Sequence, residues 1–111
     1  MAFYAYMLAS KPNGTIYIGQ TDSLTVRTWQ HKTKVRPGFT AKYDVDRLVW
    51  FSIHDTRAGA KAREATLKKW NRAWKIKVIE AFNPTWKDLY EDFLAGHVTA
   101  FNGPLPERPP E

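Results

Sequence analysis

Cysteine is absent from the 111-residue chain, which excludes disulfide bonds and thiolate zinc sites and fits a reducing compartment. Long apolar runs are also missing, since no stretch approaches the roughly 18 residues of a membrane-spanning helix. The start, Met-Ala-Phe-Tyr-Ala-Tyr, lacks the charged leader of a secretory signal. These absences predict a soluble, cytoplasmic protein without membrane association.

What the chain does contain is enough for one packed domain. Hydrophobic residues make up 43% of the sequence and aromatic residues 14%, which is typical of a globular protein rather than a disordered segment. A chain of this length can bury one modest core and is too short for two.

The charges are segregated along the sequence. Residues 27–77 contain fourteen Lys or Arg against four acidic residues, whereas acidic residues predominate from residue 78 onward. Basic residues at this density attract phosphate through counterion release, so the middle of the chain is predicted to bind nucleic acid. A solvated basic surface that only keeps the protein soluble is the other interpretation.

Two short strands open the chain. Residues 3–9 alternate between two faces, and residues 15–19 form a second strand after the turn sequence Lys-Pro-Asn-Gly at 11–14. Because side chains alternate along a strand and the loop has an even number of residues, Tyr6 and Tyr17 are predicted to face the same side.

A helix, a loop and a third strand follow. Asp22 or Ser23 suits the N-cap of a helix that runs to about Thr33. Residues 35–46, with a Pro-Gly pair, predict a loop. The apolar residues 47–54 predict a strand at the buried centre of the sheet.

The second half of the chain is predicted to be helical. Asp55 or Thr56 caps a helix through Trp70, a third helix covers residues 73–82, and a short helix covers residues 85–93. Four of the last eight residues are proline, which predicts a loose tail. We therefore divide the chain into a domain at residues 1–93 and a proline-rich, flexible tail at residues 94–111.

Glu64 lies where an apolar stripe of its helix meets a cationic one. Ala60 and Leu67 are its apolar neighbours at helical spacing, and Lys61 and Lys68 are its cationic neighbours. A partly buried carboxylate is costly unless a cation or an arginine compensates it, so Glu64 is a candidate metal ligand. An ordinary Glu–Lys surface pair is the alternative.

Several short sequence motifs occur in an order that resembles a known family. They are Ala5-Tyr6-Met7-Leu8, Tyr17-Ile18-Gly19, Arg27 and His31 on one helix, residues 37–43, Ala62-Arg63-Glu64, and Asn83-Pro84. Over residues 3 to 90 the chain resembles the GIY-YIG nuclease superfamily, and specifically its small stand-alone bacterial branch, which is related to the nuclease domain of the excision-repair endonuclease.

The resemblance implies an α+β fold in which a small three-stranded antiparallel sheet is flanked by helices in the order ββαβαα. It also implies a Mg²⁺-dependent DNA endonuclease, with Mn²⁺ able to substitute and a tyrosine as general base, in a DNA-repair setting. The implied catalytic residues are Tyr6, Tyr17, Arg27, His31, Glu64 and Asn83, with Glu64 as the metal ligand. The cations expected to contact nucleic acid are Arg27, Lys61, Arg63, Lys68 and Lys69.

Other interpretations stay open at this point. The chain could be a nucleic-acid-binding module of the same fold with little or no activity alone. RNA is not excluded as the substrate. A homodimer or an unknown protein partner is also not excluded. Asp44 and Asp46 could bind calcium, but no third carboxylate joins them at a defined spacing. His54 and Asp55 could form a catalytic pair, but no nucleophile has a recognisable motif nearby.

Overall fold

The structure is a computed structural model that describes residues 2–101 and 105. Its elements, in chain order, are β1 (Phe3–Ala9), β2 (Ile16–Thr21), α1 (Leu24–Thr33), α2 (Phe39–Lys42), β3 (Arg47–His54), α3 (Arg57–Lys69), α4 (Arg72–Phe82) and α5 (Tyr90–Leu94). The α+β class and the predicted order ββαβαα are confirmed, with two short helices, α2 and α5, added to it.

The sheet is antiparallel throughout, with strand order β2-β1-β3. A tight turn joins β1 and β2, in which the Gly14 N–H donates to the Lys11 carbonyl at 2.9 Å. The central strand is therefore β1, and the prediction that residues 47–54 form the centre of the sheet is wrong.

The outer edge of β3 is covered rather than open, which explains its apolar sequence. The Leu89 N–H donates to the Leu48 carbonyl and the Phe101 N–H donates to the Phe51 carbonyl, each at 2.8 Å. An edge strand whose backbone groups are satisfied in this way can be buried as deeply as a central one.

The two faces of the sheet carry separate apolar clusters. On one face, Met7 and its neighbours pack under Leu67 of α3 and Ile79 of α4. On the other face, Leu8 and the fully buried Tyr6 pack against Leu24 of α1. Helix α1 therefore lies on the face that carries the first tyrosine.

The starts of α1 and α3 agree with the sequence, because Ser23 and Thr56 cap these helices as predicted. Asn71, for which the sequence analysis predicts no cap, caps α4, which begins at Arg72 rather than residue 73.

Two predicted elements differ from the structure by more than two residues, whereas the ends of β2, α3 and α4 differ by one or two. Residues 35–46 were expected to be a loop but include the four-residue α2. The last short helix begins at Tyr90 rather than Thr85, because Trp86 adopts a φ of 57°, which no right-handed helix accommodates.

The described part of the predicted tail packs against the domain. Phe101 forms an isolated parallel bridge with Ser52, and its ring lies 5.3 Å from the Trp50 ring. Residues 102–104 and 106–111 lie outside the described residues, and the boundary at residue 93 stays a prediction. Over the described part of the chain, the helices are too short and too polar to cross a bilayer.

Asn83 holds together the corner between α4 and β3. Its amide nitrogen donates to the Val49 carbonyl at 3.2 Å and to the Lys87 carbonyl at 2.8 Å, and its amide oxygen accepts from the Lys87 N–H at 3.1 Å. The side chain is 5% exposed. These contacts alone explain why an asparagine occupies position 83, because buried backbone groups need hydrogen-bond partners.

We expect Asn83→Ala to lower the free energy of unfolding by about 1–3 kcal/mol, since it leaves buried carbonyls unpaired. Urea denaturation of the two proteins measures the difference. A loss below about 0.5 kcal/mol, the range of ordinary surface substitutions, would contradict this structural role.

Candidate active site

The hairpin brings the two tyrosines together as predicted. Tyr6 lies opposite Gly19, and Leu8 lies opposite Tyr17, so both phenols project from one face. Their ring centroids are 6.3 Å apart. Tyr6 is fully buried, whereas Tyr17 is partly exposed.

Gly19 makes room for the Tyr6 phenol. A Cβ atom at this position would lie 2.6 Å from the Tyr6 hydroxyl oxygen and 3.1 Å from Cε2 of Tyr17. Any larger residue would displace both rings. The glycine of the Tyr-Ile-Gly word is thus required by the approach of the first tyrosine to the second strand.

His31 connects the phenols to the segment after α1. Its Nε2 lies 3.1 Å from the Tyr6 hydroxyl, and its Nδ1 lies 3.0 Å from the Thr40 hydroxyl. When Nδ1 carries the proton, it donates to Thr40 and Nε2 accepts from Tyr6. In that tautomer, both ring nitrogens of His31 have a hydrogen-bond partner, and the Tyr6 hydroxyl keeps its proton.

Burial sets the resting charge of this pair. It raises the pKa of Tyr6 to about 12, and the neighbouring Arg27 opposes the rise. Burial, and then the positive charge of Arg27, lowers the pKa of His31 to about 4. At neutral pH the phenol is therefore protonated and the imidazole is neutral.

Arg27 lies beside both phenol oxygens, and its guanidinium also donates to the Gln30 side chain at 3.2 Å. It opens onto a cavity of about 170 Å³. The cavity lining is Tyr17, Arg27, Gln30, His31, Lys34, Arg36, Pro37, Gly38, Phe39 and Thr40. This wall of three cations, a phenol and an imidazole is suited to a phosphate group.

Glu64 lies on α3 and is paired with a lysine. Its side chain is 22% exposed, and its carboxylate lies 3.5 Å from the Lys68 ammonium. The negative charge of Glu64 makes the smallest contribution to the raised pKa of Tyr6. Glu64 is not among the residues that line the cavity, and the Glu–Lys pair that the sequence offered as the alternative is present.

The donor set fits a divalent cation that keeps most of its water. Among residues 2–101 and 105, no three His, Cys, Asp or Glu side chains are grouped closely enough to hold a metal on their own. Mg²⁺ commonly binds through one or two carboxylates plus substrate oxygens, so Glu64 alone would suffice as the protein ligand.

The predicted nucleic-acid contacts on α3 divide into two groups. Lys61, Lys68 and Lys69 are exposed, and Lys68 is the ion-pair partner of Glu64. Arg63 instead lies over the Phe101 ring, 5.9 Å from its centroid, and lines a second cavity of about 570 Å³ with Ser52 and His54. The structure therefore brings Arg27, but not Arg63, to the phenols.

Asn83 does not line the cavity beside the phenols; it stabilises the α4–β3 corner. Its catalytic role stays a prediction. The sequence did not predict seven of the residues that line the cavity: Gln30, Lys34, Arg36, Pro37, Gly38, Phe39 and Thr40. The last four form the Pro-Gly-Phe-Thr motif at residues 37–40, which belongs to the segment interpreted as a loop.

The alternative sites are engaged in other contacts. Lys34 forms ion pairs with Asp44 at 3.1 Å and with Asp46 at 3.7 Å. His54 Nε2 lies 2.8 Å from the Ser52 hydroxyl rather than bonding to Asp55.

Comparison with known proteins agrees with this geometry. The model of the GIY-YIG catalytic domain family matches residues 2–77. The UPF0213 protein BH0048 from Bacillus halodurans, solved by NMR, is 20% identical and shares the fold with a TM-score of 0.51; the alignment covers 82% of this chain and 96% of that one. No match was found among curated proteins.

We expect acid to destabilise the protein through His31. The folded pKa of about 4 lies below the ordinary value of 6.5, so between these pH values only the unfolded chain binds the proton. Stability is therefore complete above pH 6.5 and falls as the pH drops towards 4.

Thermal melting of the wild type and His31→Gln at pH 7 and pH 4.5 measures this effect. The wild type should lose more of its melting temperature than His31→Gln, while His97→Gln, at an exposed histidine, should behave as the wild type. An equal loss in all three proteins would contradict the assignment.

Proposed function

The chain belongs to the GIY-YIG catalytic domain family, which supports a nuclease-type function, and we propose from this premise that it is a Mg²⁺-dependent endonuclease acting on DNA. The observation that carries the proposal is the convergence of Tyr17, Arg27 and His31 on one cavity. Glu64 on α3 is the carboxylate whose charge contributes to the raised pKa of Tyr6, and we assign it as the cation ligand. These groups supply a phosphate anchor, a proton acceptor and a cation ligand.

The substrate phosphate binds in the cavity beside Arg27. Lys34 and Arg36 line the same space, so an anion there meets positive charge from three sides. Two acidic residues partly neutralise Lys34, which leaves Arg27 and Arg36 as the stronger anchors. Such contacts are independent of base sequence and weaken with salt.

We assign the contact with the attacking water to Tyr17. It lines the cavity, whereas Tyr6 has no exposed surface. A general base must come within hydrogen-bonding distance of the water that it deprotonates, which supports the tyrosine that is open to the cavity. Tyr6, bonded to His31, positions the histidine beside the cavity.

Glu64 would hold the divalent cation. The cation would supply charge neutralisation at the phosphate and at the leaving oxygen. The Lys68 ammonium lies 3.5 Å from the Glu64 carboxylate, so a bound cation would compete with this ion pair.

We expect the protein to nick supercoiled plasmid with Mg²⁺ or Mn²⁺ and not with chelator. Glu64→Gln should reduce the rate more than about a hundredfold, since several kcal/mol of charge stabilisation would be lost. Glu91→Gln, at an exposed carboxylate on α5, is the matched control and should cut normally.

Equal cutting with Mg²⁺ and with chelator, or by Glu64→Gln, would refute the metal scheme. Salt-sensitive DNA binding without any cleavage would instead identify a nucleic-acid-binding module of this fold.

The two tyrosines should differ in their effect on the pH profile. A phenol base loses its proton more readily as the pH rises, so wild-type single-turnover rates should increase towards alkaline pH. Tyr17→Phe should lower the rate by about 10²- to 10⁴-fold and flatten the profile. Tyr6→Phe should lower the rate but keep the increase of the rate with pH. If the rate became independent of pH in Tyr6→Phe and not in Tyr17→Phe, Tyr6 rather than Tyr17 would be the general base.

A further inference from the structure

Helix α2 presents two aromatic rings to solvent beside the cavity. Phe39 and Tyr43 are 50% and 48% exposed, and their centroids lie 5.0 Å apart at an interplanar angle of 53°. They are four residues apart, so they lie on one side of the helix. Large aromatic side chains are seldom exposed in adjacent pairs without a binding role.

The rings do not contribute to the core. Helix α2 has no buried residue, and neither ring belongs to the two apolar clusters of the sheet. Folding therefore gives no reason for two aromatic side chains at these positions.

The aromatic pair is continuous with the phosphate cavity. Phe39 is one of the lining residues, together with Arg27 and Arg36. The Lys42 ammonium lies 5.4 Å from the centroid of the Tyr43 ring. Cations that surround exposed rings are the combination that binds a nucleotide, because phosphate takes the charge and the base takes the ring face.

We propose that Phe39 and Tyr43 form a stacking platform for the nucleobase next to the scissile phosphate of a DNA strand. This inference rests on the proposed endonuclease function. A base inside a duplex is stacked on both faces and is not free to lie on a protein ring, whereas an unpaired base is. The substrate is therefore DNA with an unpaired nucleotide at the point of cleavage.

Trp29 offers a matched comparison at an exposed aromatic residue outside the cavity. It is 51% exposed on α1, as much as Phe39, but it is not among the residues that line the cavity. An effect of exposed aromatic area in general would appear at both positions. An effect of the platform would appear only at Phe39 and Tyr43.

The test uses the full chain with Glu64→Gln, so that binding is measured without cleavage. The ligand is a short single-stranded oligonucleotide that carries 2-aminopurine, whose fluorescence is quenched when the base stacks. Phe39→Ala should raise the Kd about tenfold or more and abolish the quenching. Phe39→Trp should restore both, and Trp29→Ala should change neither.

Two binding results would overturn the platform. One is unchanged affinity and quenching in Phe39→Ala, and the other is an equal loss of affinity and quenching in Trp29→Ala. A melting curve for each variant verifies folding, and Phe39→Trp keeps the test valid if the alanine variant is unstable. Cleavage by the active protein is measured separately. Cutting that does not depend on Phe39 would refute the platform alone, whereas Phe39-dependent quenching without cutting would refute the nuclease proposal alone.

Discussion

The register between β1 and β2 is the constraint on which the rest of the molecule depends. It sets Tyr6 opposite Gly19, the one residue whose missing side chain admits the phenol. A slip of one residue would turn one tyrosine to the other face of the sheet, away from α1 and its histidine. Two polar side chains of the cavity, His31 and Arg27, lie beside the Tyr6 phenol.

Burial separates the uncharged groups of the candidate site from its cations. The Tyr6 hydroxyl and the His31 ring are buried and hydrogen-bonded to each other, and both are uncharged at neutral pH. Arg27 and Arg36 line the cavity, where an anion can reach them. His31 and its partner Thr40 line the same cavity, so they connect the buried phenol with the surface that an anion would contact.

Local sequence signals predicted the parts of the structure that local chemistry determines. The even hairpin loop oriented both tyrosines, and the hydroxyl caps Ser23 and Thr56 fixed the starts of α1 and α3. Contacts between residues that are distant in the sequence could not be predicted from local signals. The apolar composition of β3 does not distinguish a central strand from an edge covered by Phe101, and the importance of Thr40 depends on a contact with His31.

The contacts that cover the edge of β3 also affect whether two copies of the chain can pair through their strands. An edge strand with free carbonyls is a template for another strand, and the carbonyls of Leu48 and Phe51 are already occupied by Leu89 and Phe101. If Phe101 detached, the apolar edge of β3 near Trp50 would be exposed. Phe101 therefore protects this edge against pairing with a strand of another copy, independently of any contribution to catalysis.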